Sequence, residues 1–167
     1  DGPRRRDDGR RPIGVGVEAL LKLWRLTRAP FVALDGAGPQ NHGARWTSPG
    51  RPVINFASDP GLAVLVVLRY LPSDLSGIDQ DYQLGWTRVE TEAERLSFVD
   101  HPDEKRAIGD DWLASGRSLM AAVKSAVLPE ADIIMMNPAH PDFASIAPLT
   151  TRPFRFEDCL SLPEFPT

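Results

Sequence analysis

The chain has 167 residues, a formal net charge of −4, and 42% hydrophobic against 25% charged residues. These values describe one globular domain with a core of its own and leave too little length for two. An acidic balance argues against a nucleic-acid groove as the main business of the molecule, because phosphate backbones call for a basic face.

Residues 1–12 hold five arginines, three aspartates, two glycines and two prolines. Such a segment has little apolar surface to bury, so residues 1–16 read as a disordered leader and residues 17–167 as the domain. No signal peptide is read in this start, since no apolar stretch follows the arginines. Cys159 is the only cysteine, which rules out an intramolecular disulfide and a multi-thiolate zinc site and fits a reducing cytoplasm. The longest apolar stretch, residues 61–71, is interrupted by Arg69 and is too short to span a bilayer.

In residues 17–25, Val17, Leu20, Leu21 and Trp24 fall at i, i+3, i+4 and i+7, which predicts an amphipathic helix or a helix running into a strand. Residues 34–39 and 48–52 are rich in glycine, proline and aspartate or serine, the chemistry of turns. Residues 53–56 are short and partly β-branched, so a strand is expected. Asp59 and Pro60 supply an N-cap and a first-turn proline for a helix over residues 61–71. That helix is apolar nearly all round and is expected to be buried. Residues 82–90 alternate as a strand, residues 108–115 form a short helical turn, and residues 118–127 read as another strand. Residues 131–136 are expected as a central strand, and residues 153–156 as an edge strand. Several strands with few helices predict an α+β fold: a mixed, mainly antiparallel sheet with flanking helices.

Familiar site motifs are missing. Gly14, Gly16, Gly36 and Gly38 lack a third glycine at the dinucleotide-fingerprint spacing, and neither a P-loop nor a G-x-S-x-G elbow occurs. His42, His101 and His140 are scattered beside turn residues, which suits loop hydrogen bonding better than a metal site. The suggestive feature is arginine beside tryptophan at turns, Trp24-Arg25 and Arg45-Trp46. A guanidinium fork suits a pyrophosphate, and an indole stacks on a base or a nicotinamide ring. The competing interpretation is a pair of surface arginines whose stems cover core tryptophans.

Three blocks carry a resemblance: "WRLTRAPFVALDGAGPQNHGARWTSPGRPVINFASDPGLAVLVVLRYL", "AIGDDWLASGRSLMAAVKSAVLPEADIIMMNPAHPDF" and "PFRFEDCL". Within them "IGDDWLASGRS" and "NPAHPDF" are the specific motifs, and together the blocks cover roughly residues 23 to 160. The sequence resembles RES-domain toxins of bacterial toxin–antitoxin systems. The resemblance implies an ADP-ribosyltransferase-like fold, NAD as substrate with no metal, and cleavage of the nicotinamide–ribose bond, either degrading NAD or passing ADP-ribose to a protein. It also implies an Xre-like antitoxin as partner, with no direct contact to nucleic acid or membrane. Nothing in the sequence sets the oligomeric state, and a homodimer is compatible with it.

The family is named for an arginine, a glutamate and a serine. By resemblance the arginine falls on Arg45, a second arginine on Arg25, and the serine on Ser125 in "VKSAV", where Lys124 replaces a usual proline. Apart from the resemblance, Trp46 beside Arg45 is the indole expected to stack on a base or a nicotinamide ring. Two positions depart from the pattern: Asn55 stands where a tyrosine is expected, and Val66 where the glutamate is expected. A carboxylate at that place would stabilise the positive charge that develops on the ribose, and valine cannot. Asp35, Asp59 and the pair Glu90 and Glu92 are the substitutes to consider, with Asp59 better explained as an N-cap and Glu90–Glu92 as a solvated cluster. Two readings follow. One is an active NAD-consuming toxin, the other a catalytically impaired RES domain that binds NAD or its antitoxin.

Overall fold

The computed structural model describes residues 20–73, 78 and 81–159. The leader expected over residues 1–16 lies outside them. In chain order the regular elements are β1 (Leu21–Arg28), α1 (Ala37–His42), β2 (Ile54–Ala57), α2 (Pro60–Leu68), β3 (Tyr82–Val89), β4 (Glu94–Arg95), α3 (Pro102–Ser115), β5 (Met120–Lys124), β6 (Asp132–Met136) and β7 (Thr150–Pro153). The strands form one sheet of seven in the order β4-β5-β6-β2-β1-β3-β7. Only the β4–β5 pair is parallel among the described residues, so the sheet is mixed and mainly antiparallel, as expected.

The helix expected over residues 17–25 is instead a strand from Leu21 onward. All eight residues of β1 pair with β3, from Leu21 opposite Val89 to Arg28 opposite Tyr82. The helical spacing misleads because β1 is covered on both faces. Leu23 packs with Ile54, Phe56 and Met136, while Leu26 packs with Leu62 and Ala63 of α2 on the opposite side. Of the residues with helical spacing, Leu20 is exposed ahead of the strand. Leu21 and Trp24 pack on opposite faces, beside Leu23 and Leu26 respectively, so they mark two faces of a strand and not one face of a helix.

One face of the sheet is closed by Phe143, Ile146 and Leu149, from the segment after β6. The other carries two helices side by side. α2 lies over Leu26, Ala57 and Leu84, and α3 lies over Val53, Ala121, Val123 and Met135. α2 begins as the sequence requires: the Asp59 carboxylate accepts from the Leu62 N–H at 2.8 Å, with Pro60 in the first turn. It ends at Leu68, earlier than expected, and it is not buried all round. Only Leu62 and Ala63 are buried, and Leu68 is 36% exposed. An open cavity lies against its other side, so the apolar surface faces that cavity instead of solid core.

α3 is longer than the expected turn, running 14 residues. The His101 Nδ1 accepts from the Asp103 N–H at 3.3 Å, Pro102 starts the helix, and Gly116 at φ 57° ends it. Its buried residues are Lys105, Gly109 and Trp112. At Gly109 the helix presses on the loop before β2 so closely that a Cβ would lie 1.8 Å from the Trp46 carbonyl oxygen. The remaining strands shift by a few residues. β5 is shorter than residues 118–127, β6 is an inner strand as expected, and the edge strand falls on β7 rather than residues 153–156.

Candidate active site

Between α2 and α3, over the middle of the sheet, lies a cavity of about 540 Å³, within the usual range for small-molecule sites. Its position follows from the strand pairing. β1 and β2 share a single register pair, Trp24 opposite Ala57. Residues of both strands, including Arg25, Leu26, Asn55 and Phe56, line the cavity. All six residues singled out from the sequence, Arg25, Arg45, Trp46, Asn55, Val66 and Ser125, line this one cavity.

Arg25 sits on β1 and donates from Nη1 to the Asn55 carbonyl at 3.3 Å. Burial pushes its guanidinium below the ordinary arginine value, and the charge of Asp35 opposes that shift. Its Nε is buried without a hydrogen-bond partner among the described residues. Arg45 stands exposed at the tip of a tight turn closed by the Ala44 N–H donating to the Thr47 carbonyl at 2.8 Å. That turn is pinned to α3 from below: the Ser48 N–H and hydroxyl donate to the Asp110 carboxylate at 3.0 and 2.6 Å.

Trp46 borders the cavity but is only 6% exposed, with its ring packed beside Val53 and Trp112. Little of its face is left for stacking. Trp24 is half-buried, also lines the cavity, and packs 5.5 Å from Trp86.

Ser125 is 3% exposed and begins the turn after β5. Its Oγ accepts from the Val127 and Leu128 N–H groups, both at 3.2 Å. With both lone pairs committed, the hydroxyl proton is what the residue can offer a ligand.

Val66 forms an apolar wall with Ala63 and Val67 of α2. No carboxylate is among the described residues lining the cavity, whereas five cations are: Arg25, Arg45, Arg69, Lys105 and Lys124. The substitute acids are elsewhere. Asp35 accepts from the Ala37 N–H at 3.0 Å, Asp59 caps α2, and Glu90 and Glu92 are exposed in the bend after β3. His101 and His140 each cap a helical segment through Nδ1, and no group of three metal-ligating side chains occurs among the described residues.

Sequence reasoning missed Lys105 and Lys124 as cavity residues. For Lys105 the signal was present: Lys105, Gly109 and Trp112 fall at i, i+4 and i+7, the inward stripe of a helix whose start had been placed too late.

A family model described as the RES domain matches residues 22–157. The chain belongs to the RES family. Relatives of this RES domain include a protein of Photorhabdus laumondii named Toxin Res, 31% identical over 133 residues that cover 72% of this chain and 84% of the relative. Another is a protein of a Sphingobium species named Prs ADP-ribosylating toxin, 28% identical over 137 residues, covering 74% of this chain and 84% of the relative. Among solved structures, the fold matches a chain of the M. tuberculosis MbcT–MbcA toxin–antitoxin complex. The TM-score is 0.65 at 17% identity, covering 81% of this chain and 85% of that one. No described helix is long and apolar enough to cross a membrane.

Proposed function

We propose that this RES domain is the toxin of a bacterial toxin–antitoxin pair and that its cavity binds NAD and cleaves the bond between nicotinamide and ribose. The observation that carries this reading is the gathering of Arg25, Arg45 and Ser125, from three separate parts of the chain, around one cationic cavity with no carboxylate among its described lining residues. Arg25 and Arg45 would hold the pyrophosphate, to which a guanidinium fork is suited. Ser125, with only its proton to give, would donate to the nicotinamide amide oxygen or to a ribose oxygen.

When the bond breaks, its electron pair goes to the nicotinamide nitrogen and neutralises the ring. Positive charge is left on the ribose until water, phosphate or a protein side chain attacks and loses a proton. Cations that favour the pyrophosphate disfavour that charge, and Val66 supplies nothing to offset it. Slow cleavage is therefore part of the proposal. The same observation favours the second reading, a RES domain that binds NAD without turning it over.

The partner in this account is an antitoxin of the Xre-like type that closes the cavity to NAD, and the cytoplasm is where the pair would act. Incubation of the purified chain with NAD should release free nicotinamide, and Arg45→Ala should abolish the release. NAD that binds by calorimetry without any release favours the binding module, and the absence of both contradicts either reading.

A further inference from the structure

Lys105 occupies a place that packing alone does not explain. It shares the inward stripe of α3 with Gly109, which is pressed on the Trp46 carbonyl, and with Trp112, whose Nε1 donates to the Ser118 hydroxyl at 2.8 Å. Lys105 is 9% exposed and has no ion-pair partner among the described residues. Its ammonium lies 5.4 Å from the centre of the Phe98 ring, and both residues line the cavity. Lysine is rarely buried without a counter-charge, and a ring face satisfies at most one of its three N–H donors. The four other cations of the cavity, with no carboxylate among its described lining residues and only the charge of Asp35 acting on Arg25, bias it toward an anion.

We propose that Lys105 is a phosphate-binding residue of this cavity, its ammonium held over Phe98 until a phosphate group arrives as its partner. A compact ammonium recognises phosphate as a point charge, in contrast to the planar forks of Arg25 and Arg45. Identifying the ligand rests on the NAD reading above. The phosphate can belong to the dinucleotide or be free inorganic phosphate, and the test separates these.

Calorimetry at constant ionic strength would compare the full chain with Lys105→Met, using ADP-ribose, inorganic phosphate and phosphate-free adenosine as probes. The substitution should weaken ADP-ribose or inorganic phosphate by about tenfold to a hundredfold and leave adenosine unchanged. Weakening of ADP-ribose places the dinucleotide's phosphates at Lys105, and weakening of inorganic phosphate alone places a free phosphate there. Equal affinities for natural chain and variant overturn the proposal, and so does a parallel loss of adenosine, which marks a packing role. A natural chain that binds neither phosphate ligand overturns the NAD reading as well. Should the variant fail to fold, ADP-ribose or phosphate should protect Lys105 of the natural chain from acetylation, read by peptide mass spectrometry. Unchanged labelling with both ligands contradicts the proposal.

Discussion

Ser125 shows how a single residue serves fold and site together. Its oxygen accepts two backbone N–H groups of the turn after β5, and its proton remains for the cavity. Ser125→Ala takes the acceptor from two part-buried backbone donors, a loss of about 1 kcal/mol. We expect that variant to melt at a lower temperature and to release less nicotinamide per folded molecule. An activity loss without a change in melting would mean that the two amides find other partners. Arg25 illustrates the opposite arrangement. Its burial is only partly matched by Asn55 and by the charge of Asp35, so its remaining capacity is turned to whatever enters the cavity.

At the scale of elements, two helices frame the cavity and each offers a separable test. Asp59→Ala removes the N-cap of α2, a change worth about 1 kcal/mol, and should lower the melting temperature by about 2–4 °C with NAD binding largely kept. Gly109→Ala acts on α3, where a methyl group would meet the Trp46 carbonyl oxygen at 1.8 Å. Relief requires the helix and the loop bearing Arg45 to part, so that variant should lose about 1–3 kcal/mol of stability and also bind NAD more weakly. Unchanged binding in a folded Gly109→Ala protein would show that the loop adjusts without moving Arg45.

These elements also show what the sequence made legible. The start of α2 was plain because Asp59-Pro60 states its own chemistry, and β6 because a short apolar run was bounded by turn residues. β1 was not, since Leu21 and Trp24, which pack on opposite faces of the strand, fall three apart and join the exposed Leu20 in a helical spacing. The start of α3 was hidden because its first turn is polar and its cap is a histidine, while one inward position is a lysine. Arg25, Arg45 and Trp46 stood out as arginine–tryptophan neighbours, and Asn55, Val66 and Ser125 were named through family motifs, whereas Lys105 needed the start of α3 to be placed first.

Across the whole molecule, the short parallel strand β4 is tied to the end of α3 by a chain of hydrogen bonds. Trp112 Nε1 donates to the Ser118 hydroxyl, the Ser118 hydroxyl donates to Glu94 at 2.8 Å, and Arg117 Nε donates to Glu94 at 2.8 Å. Burial pushes the Glu94 carboxyl up, but the bonds from Arg117 and Ser118 prevail and hold it below the ordinary glutamate value. A carboxyl lowered on folding stabilises the native state above its unfolded pKa, and that contribution is lost as pH falls through the folded value. The chain should therefore lose stability below the ordinary carboxylate range. Glu94→Gln should be less stable near neutrality and show a shallower loss in acid, as read from thermal melts across pH. Parallel curves for the two proteins would remove Glu94 from this account.

The central claim is an NAD site whose cationic cavity lacks the carboxylate that cleavage calls for at Val66. The most direct measurement is the rate of nicotinamide release from NAD by the natural chain beside Val66→Glu, at matched folded concentrations. The account predicts a rate about 10²–10³ higher for Val66→Glu, with Arg45→Ala silencing both. Equal rates, or no release from Val66→Glu while NAD still binds, would contradict it.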